Sequence, residues 1–129
     1  MQELENNAYF WQKIDTLMFS SSCTIDRPKG STHFKYSNLV YPVDYGYLSD
    51  TTESGQGTIH IFKGSQSTFN VGAIIVSADI LKKDCEVKLL IGCNEEETLS
   101  ILRFLNQTEF QKAILIRRGN EIPIWSSND

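Results

Sequence analysis

The sequence predicts an α+β fold: a small twisted barrel of about five or more mostly antiparallel strands, with helices packed outside it. Three observations carry this prediction. Apolar residues recur at helical spacing near the N-terminus and again after Asn94. Between those stretches lie several short runs rich in β-branched and aromatic residues that alternate in polarity. Glycine, proline and small polar clusters punctuate these runs at short intervals, with no repeat or long linker.

Residues 2–18 read as the first helix, within an N-terminal segment 1–20. Phe10, Trp11, Ile14, Leu17 and Met18 form its apolar stripe, and Glu3 and Glu5 sit in the first turn, where acidic groups oppose the helix dipole. The serines at 20–22 end it. Residues 23–28 form a short strand stopped by Pro28, and a loop follows over 29–37. Leu39 to Tyr41 begin an extended piece, with Pro42 keeping Tyr41 out of the helical region. Tyr41, Tyr45 and Tyr47 then flank a turn containing Pro42 and Gly46, where tyrosines ordinarily bury their rings. Residues 52–57 are a polar turn.

The next strand, 58–62, puts Ile59 and Ile61 on one face and His60 and Phe62 on the other. Residues 70–80 form another, with an almost continuous apolar core. In the strand over 85–93, Glu86, Lys88 and Leu90 share one face, and Val87, Leu89 and Ile91 the other. Asn94 caps a second helix reaching about Asn106: with Glu97 it resembles a capping box, and Leu99, Ile101, Leu102 and Leu105 supply the apolar side. A last strand covers 113–117, and a polar tail follows.

The 129 residues suit one domain, and the 40% hydrophobic and 22% charged content is that of a globular chain. No apolar run is long enough to span a bilayer, and the acidic N-terminus does not resemble a secretion signal, which predicts a cytoplasmic protein with no membrane partner. Cys23, Cys85 and Cys93 are odd in number, widely spaced and without a CxxC pair, so they read as free, mostly buried thiols. The net charge of −4 disfavours nucleic acid as a partner, since binding single strands needs aromatic platforms in a basic groove.

The segment YPVDYGY at 41–47 is similar to the Tyr-Pro-x-Asn-Tyr-Gly-Tyr signature of the soluble (family I) inorganic pyrophosphatases. IDRPKGST upstream resembles that family's first strand and the loop after it. A glycine-rich turn falls where the family carries Asp-Gly-Asp-x-x-Asp. DILKKDCEVKLLIGC resembles its strand with two aspartates and a lysine. The resemblance spans 23–117 in the family's order and is to the short, divergent bacterial form. It implies an OB-like barrel and Mg²⁺-dependent hydrolysis of inorganic diphosphate to phosphate. In that chemistry, carboxylates hold metal ions that activate water, while Lys, Arg and Tyr clamp the phosphate oxygens.

By the resemblance, Asp26, Glu86 and Asp79 hold the metal, with Asp84 the rival of Asp79. Lys35, Tyr45 and Lys88 bind phosphate and serve catalysis, and Arg27 stands nearest to the place of the family's arginines. Asp44 takes the position of the signature asparagine. In ESGQGTIHIF, however, Ser54 or Gly55, Gln56 or Gly57, and His60 occupy the places of the three aspartates, and none is a carboxylate. His60 can ligate a softer divalent ion but suits magnesium poorly; on a polar strand face it otherwise reads as structural. These departures imply weakened hydrolysis or, alternatively, a degenerate phosphate-binding or interaction module of the same fold. The partner is then a small-molecule phosphate or diphosphate, and because relatives commonly assemble, a second copy of the chain. His33 reads as an exposed loop residue, and Lys82, Lys83, Arg117 and Arg118 as solvated turns. The whole reading requires Asp26, Lys35, Tyr45, Glu86 and Lys88 to meet in one solvent-reachable hollow.

Overall fold

The computed structural model describes residues 5–119. Its elements run α1 (Ala8–Phe19), β1 (Ser22–Arg27), β2 (Asp44–Ser49), β3 (Ile59–Lys63), β4 (Val71–Asp79), β5 (Asp84–Ile91), α2 (Glu95–Leu105) and β6 (Gln111–Arg117). The strands form one six-stranded sheet in the order β1-β2-β3-β5-β4-β6. Neighbours are antiparallel except β3 and β5, which run parallel with His60 beside Lys88 and Phe62 beside Leu90. The α+β class therefore holds. The order is linear, with β1 and β6 at its edges, so closure into the expected barrel is not confirmed.

Among the described residues, each face of the sheet packs against one helix. Trp11 and Met18 of α1 pack on Leu48, Ile61, Ile74, Leu89 and Ile91. On the opposite face, Ile101 and Leu105 of α2 pack on Phe62, Ala73, Ile75 and Leu90, joined by Tyr41 and Val43 from the segment entering β2. The period-2 alternation of β3 and β5 produces this division: odd-numbered residues face α1 and even-numbered residues face α2. Burial of each such aliphatic side chain is worth about 1.5–3 kcal/mol, which is what fixes the two helices to their faces.

Helix α2 matches its reading closely. The Asn94 side chain accepts from the Glu97 N–H at 2.8 Å, and the Glu97 carboxylate accepts from the Asn94 N–H at 2.9 Å, completing the capping box. Its outer residue Leu99 is exposed rather than part of the buried side. The α1 helix starts later than expected: Asn7 caps it by accepting from the Phe10 N–H at 2.9 Å, and no acidic residue lies in its first turn. Glu5 precedes the cap, and Glu3 and the polar tail beyond 119 lie outside the described residues. Within the helix, Phe10 is turned outward.

The strand β2 replaces the turn expected around Gly46, and Tyr45 and Tyr47 lie within it. Gly46 is required there by close approach: a Cβ at this position would stand 1.8 Å from the Thr24 carbonyl oxygen of β1. At the other edge, Asn106 shields β6. Its amide oxygen accepts from the Ala113 N–H at 3.0 Å, and its amide nitrogen donates to the Ala113 carbonyl at 3.2 Å, as a neighbouring strand would. The three thiols are unpaired, but Cys85 is exposed and Cys23 and Cys93 half-buried, so the expectation of buried thiols is corrected.

Both arginines expected in a solvated turn are paired. Arg117 forms two bonds to Glu95 (2.8 and 2.7 Å), and Arg118 two to Asp15 of α1 (2.9 and 2.6 Å). No described helix is long and apolar enough to cross a membrane.

Candidate functional site

A hollow of about 230 Å³ opens on the α2 side of the sheet. Its floor comes from the even-numbered face of β5 and from β2, and its rim from the loop between β1 and β2 and from the β4–β5 turn. The loop is held by its own backbone. Gly30 N–H donates to the Tyr41 carbonyl, Tyr41 N–H to Ser31, and His33 N–H to Leu39, at 2.9, 2.9 and 2.8 Å. Asp44 fastens the base of this loop, accepting from the Lys29 N–H at 2.8 Å.

Lys35, Tyr45, Glu86, Lys88 and Asp79 all line this hollow. Lys88 and Glu86 project from alternate positions of β5, and the buried Lys88 ammonium donates to Glu86 Oε1 at 2.5 Å. Lys82, expected in a solvated turn, lines the same hollow and donates to Glu86 Oε2 at 3.3 Å. Burial opposes the charged form of Glu86, but the Lys88 and Lys82 ammonium groups outweigh it and hold the carboxyl at about 2. Asp79 caps the β4–β5 turn, with Oδ1 accepting from the Leu81 and Lys82 N–H groups, each at 2.9 Å. Lys83 closes that turn with a positive φ of 56°.

Asp26 does not line the hollow. It is the extra residue of a β-bulge on edge strand β1, between the pairs Ile25–Gly46 and Arg27–Tyr45, and its side chain is exposed. Its charge still acts on Tyr41, Tyr45 and His60. Arg27 sits over the Phe34 ring at 5.9 Å, outside the lining. Among the described residues, no three His, Cys, Asp or Glu side chains come together in a way that would hold a metal ion.

The rings of the site form a column. Phe34 stacks on His33 (4.9 Å, 20°), His33 on Tyr41 (6.3 Å, 10°), Tyr41 on Tyr45 (5.2 Å, 27°) and Tyr45 on His60 (5.5 Å, 2°). The first four line the hollow and His60 lies behind Tyr45. His60 is thus a stacking partner, kept neutral by burial and the nearby Lys88 charge. Burial, with the surrounding Tyr41, Glu86, Asp26 and Glu53 groups, keeps the Tyr45 phenol protonated far above its ordinary value. Among the described residues no hydrogen bond engages its hydroxyl, and Tyr45 lines the hollow.

His33 is the residue that sequence reasoning missed. Its Nδ1 accepts from the Lys35 N–H at 3.0 Å and the Tyr36 N–H at 3.3 Å, which sets the turn carrying Lys35 and places the ring's own proton on Nε2. Desolvation, with Arg27, Lys82 and Lys35 nearby, lowers its pKa. No local pattern announces such a bond, though a histidine two residues before a candidate lysine is compatible with an Asx-like turn.

The arrangement offers cationic and phenolic donors over a carboxylate, in an aromatic enclosure. Set against known proteins, the chain matches no family model and no curated protein sequence.

Proposed function

We propose that this chain is a pyrophosphatase-like domain that binds a small phosphate-bearing ligand and does not hydrolyse it. The observation that carries this reading is the convergence of Lys35, Tyr45 and Lys88 on one hollow whose carboxylates are already engaged. Magnesium asks for several free oxygens in near-octahedral array. Both Glu86 oxygens face lysine ammonium groups, Asp79 is fastened to turn amides, and Asp26 stands outside the lining. These residues do not fit a magnesium ion, and no step is derived through one. Three lysines against two carboxylates leave the lining with a cationic excess suited to an anion.

The reading extends to an OB-like barrel, a cytoplasmic location, which the unpaired thiols support, and a homo-oligomer, for which the exposed Phe10 and Phe19 rings on α1 offer an apolar surface. A second reading, weak Mg²⁺-dependent hydrolysis of inorganic diphosphate, is favoured by one observation: the carboxylates of Glu86 and Asp79 line the same hollow as Tyr45.

Calorimetric titration with inorganic diphosphate, with and without Mg²⁺, tests the proposal beside a phosphate-release assay. We expect binding without metal, weakened about tenfold by Lys35→Ala, the loss of one charge-assisted bond, and no phosphate release. Release that requires Mg²⁺ and disappears in Tyr45→Phe would establish the second reading instead.

A further inference from the structure

The lining of the hollow is mostly not what an inorganic anion requires. Beside its three lysines it presents Phe34, Tyr36, Tyr41, Phe104 and Phe110. Some of these rings have a folding role: Tyr41 is buried and packs on Phe104 at 4.9 Å. Others remain open to solvent as well. Phe34, stacked on His33, is 77% exposed at the loop tip, and Tyr36 and Phe110 stand half-buried at 5.8 Å from one another, Phe110 just before β6. Solvent-facing rings gathered around one open hollow form an apolar surface of the kind that marks a ligand-binding groove.

The polar end is equally defined. Lys88 has three donors and gives one to Glu86. Tyr45 lines the same hollow and its hydroxyl carries no hydrogen bond among the described residues. A single anionic group with several acceptor oxygens satisfies both. The volume, about 230 Å³, is below the roughly 300–1,000 Å³ of pockets for drug-sized molecules. It admits one ring and one such group.

We propose that the ligand is a phosphate monoester carried on a single flat ring, with the ring among Tyr36, Phe110 and Phe34 and the phosphate at Lys88 and the Tyr45 hydroxyl. This rests on the phosphate-binding reading above and names its ligand class. The ring supplies the affinity that the partly neutralised lysines do not, because aromatic burial adds to the charge-assisted bonds rather than competing with Glu86.

The test titrates the full chain, by calorimetry and ligand-observed NMR, with phenyl phosphate, inorganic phosphate and benzyl alcohol. We expect phenyl phosphate to bind about thirtyfold tighter than inorganic phosphate, the factor a buried ring provides, and benzyl alcohol to bind more weakly than phenyl phosphate. Phe110→Ala and the exposed Phe34→Ala should each lower the ratio of phenyl phosphate to inorganic phosphate affinity, with circular dichroism checking the fold. Equal affinity for phenyl phosphate and inorganic phosphate would overturn this inference and leave the phosphate-binding reading standing. A preference unmoved by both variants in folded protein would also overturn it. Failure of every phosphate to bind would overturn both.

Discussion

At the scale of the residue, Glu86 governs the electrostatics of the hollow. It accepts from Lys88 and Lys82 and is held at about 2, below its ordinary value of 4.5. A folded-state pKa depressed in this way contributes stability that is complete above the unfolded value and is lost as pH falls through the folded one. Wild-type protein should therefore lose stability between about pH 4.5 and pH 2. Glu86→Gln, which keeps an acceptor for Lys88 but no charge, should show a shallower acid slope in urea melts at stepped pH, and lower stability than wild type at pH 7. An unchanged slope would mean that the pair contributes nothing to folding. Glu86 and Lys88 were legible as neighbours on one strand face because alternation in β5 is regular. That Lys82 would complete the group was not, since its position depends on how the β4–β5 turn folds back.

The scale of the element shows what each local signal can and cannot carry. The β1–β2 pair depends on Gly46, where the Thr24 carbonyl lies 1.8 Å from any added Cβ. Gly46→Ala should force the two strands apart and cost on the order of 3 kcal/mol in denaturant unfolding; Gly72→Ala, with open space around it, serves as the control. Sequence reasoning treated that glycine as the mark of a turn and so overlooked β2, because a glycine demanded by a crossing backbone and one demanded by a turn look alike in a single sequence. The boundaries of β3, β4, β5 and α2 were legible to within one or two residues, since alternation and the Asn94–Glu97 box are local. The start of α1 was not: Glu5 resembles a first-turn acid, and only the Asn7 side chain, bonded to Phe10, decides otherwise.

Over the full fold, one residue ties the first helix to the sheet. Arg118, just past β6, reaches α1 through its paired bonds to Asp15, covers the Trp11 ring at 5.6 Å, and donates to the Val71 carbonyl at 3.1 Å. It links the last strand, β4 and the first helix. Arg118→Ala should lower stability by about 1 kcal/mol, roughly 4 °C in melting temperature. In a double-mutant cycle with Asp15→Ala the effects should be clearly non-additive; simple additivity would show that the contact is incidental. Whether the sheet closes was not legible at all, because open and closed sheets share the same alternation, and the outcome depends on what meets β1 and β6.

The column from Phe34 to His60 joins the loop tip to the interior of β3 through five consecutive rings. A phenol clamped between two neighbours cannot rotate half a turn unless its neighbours part. The swinging of the loop and the breathing of the sheet are therefore geared to each other, and whatever steadies the outermost ring also slows the innermost.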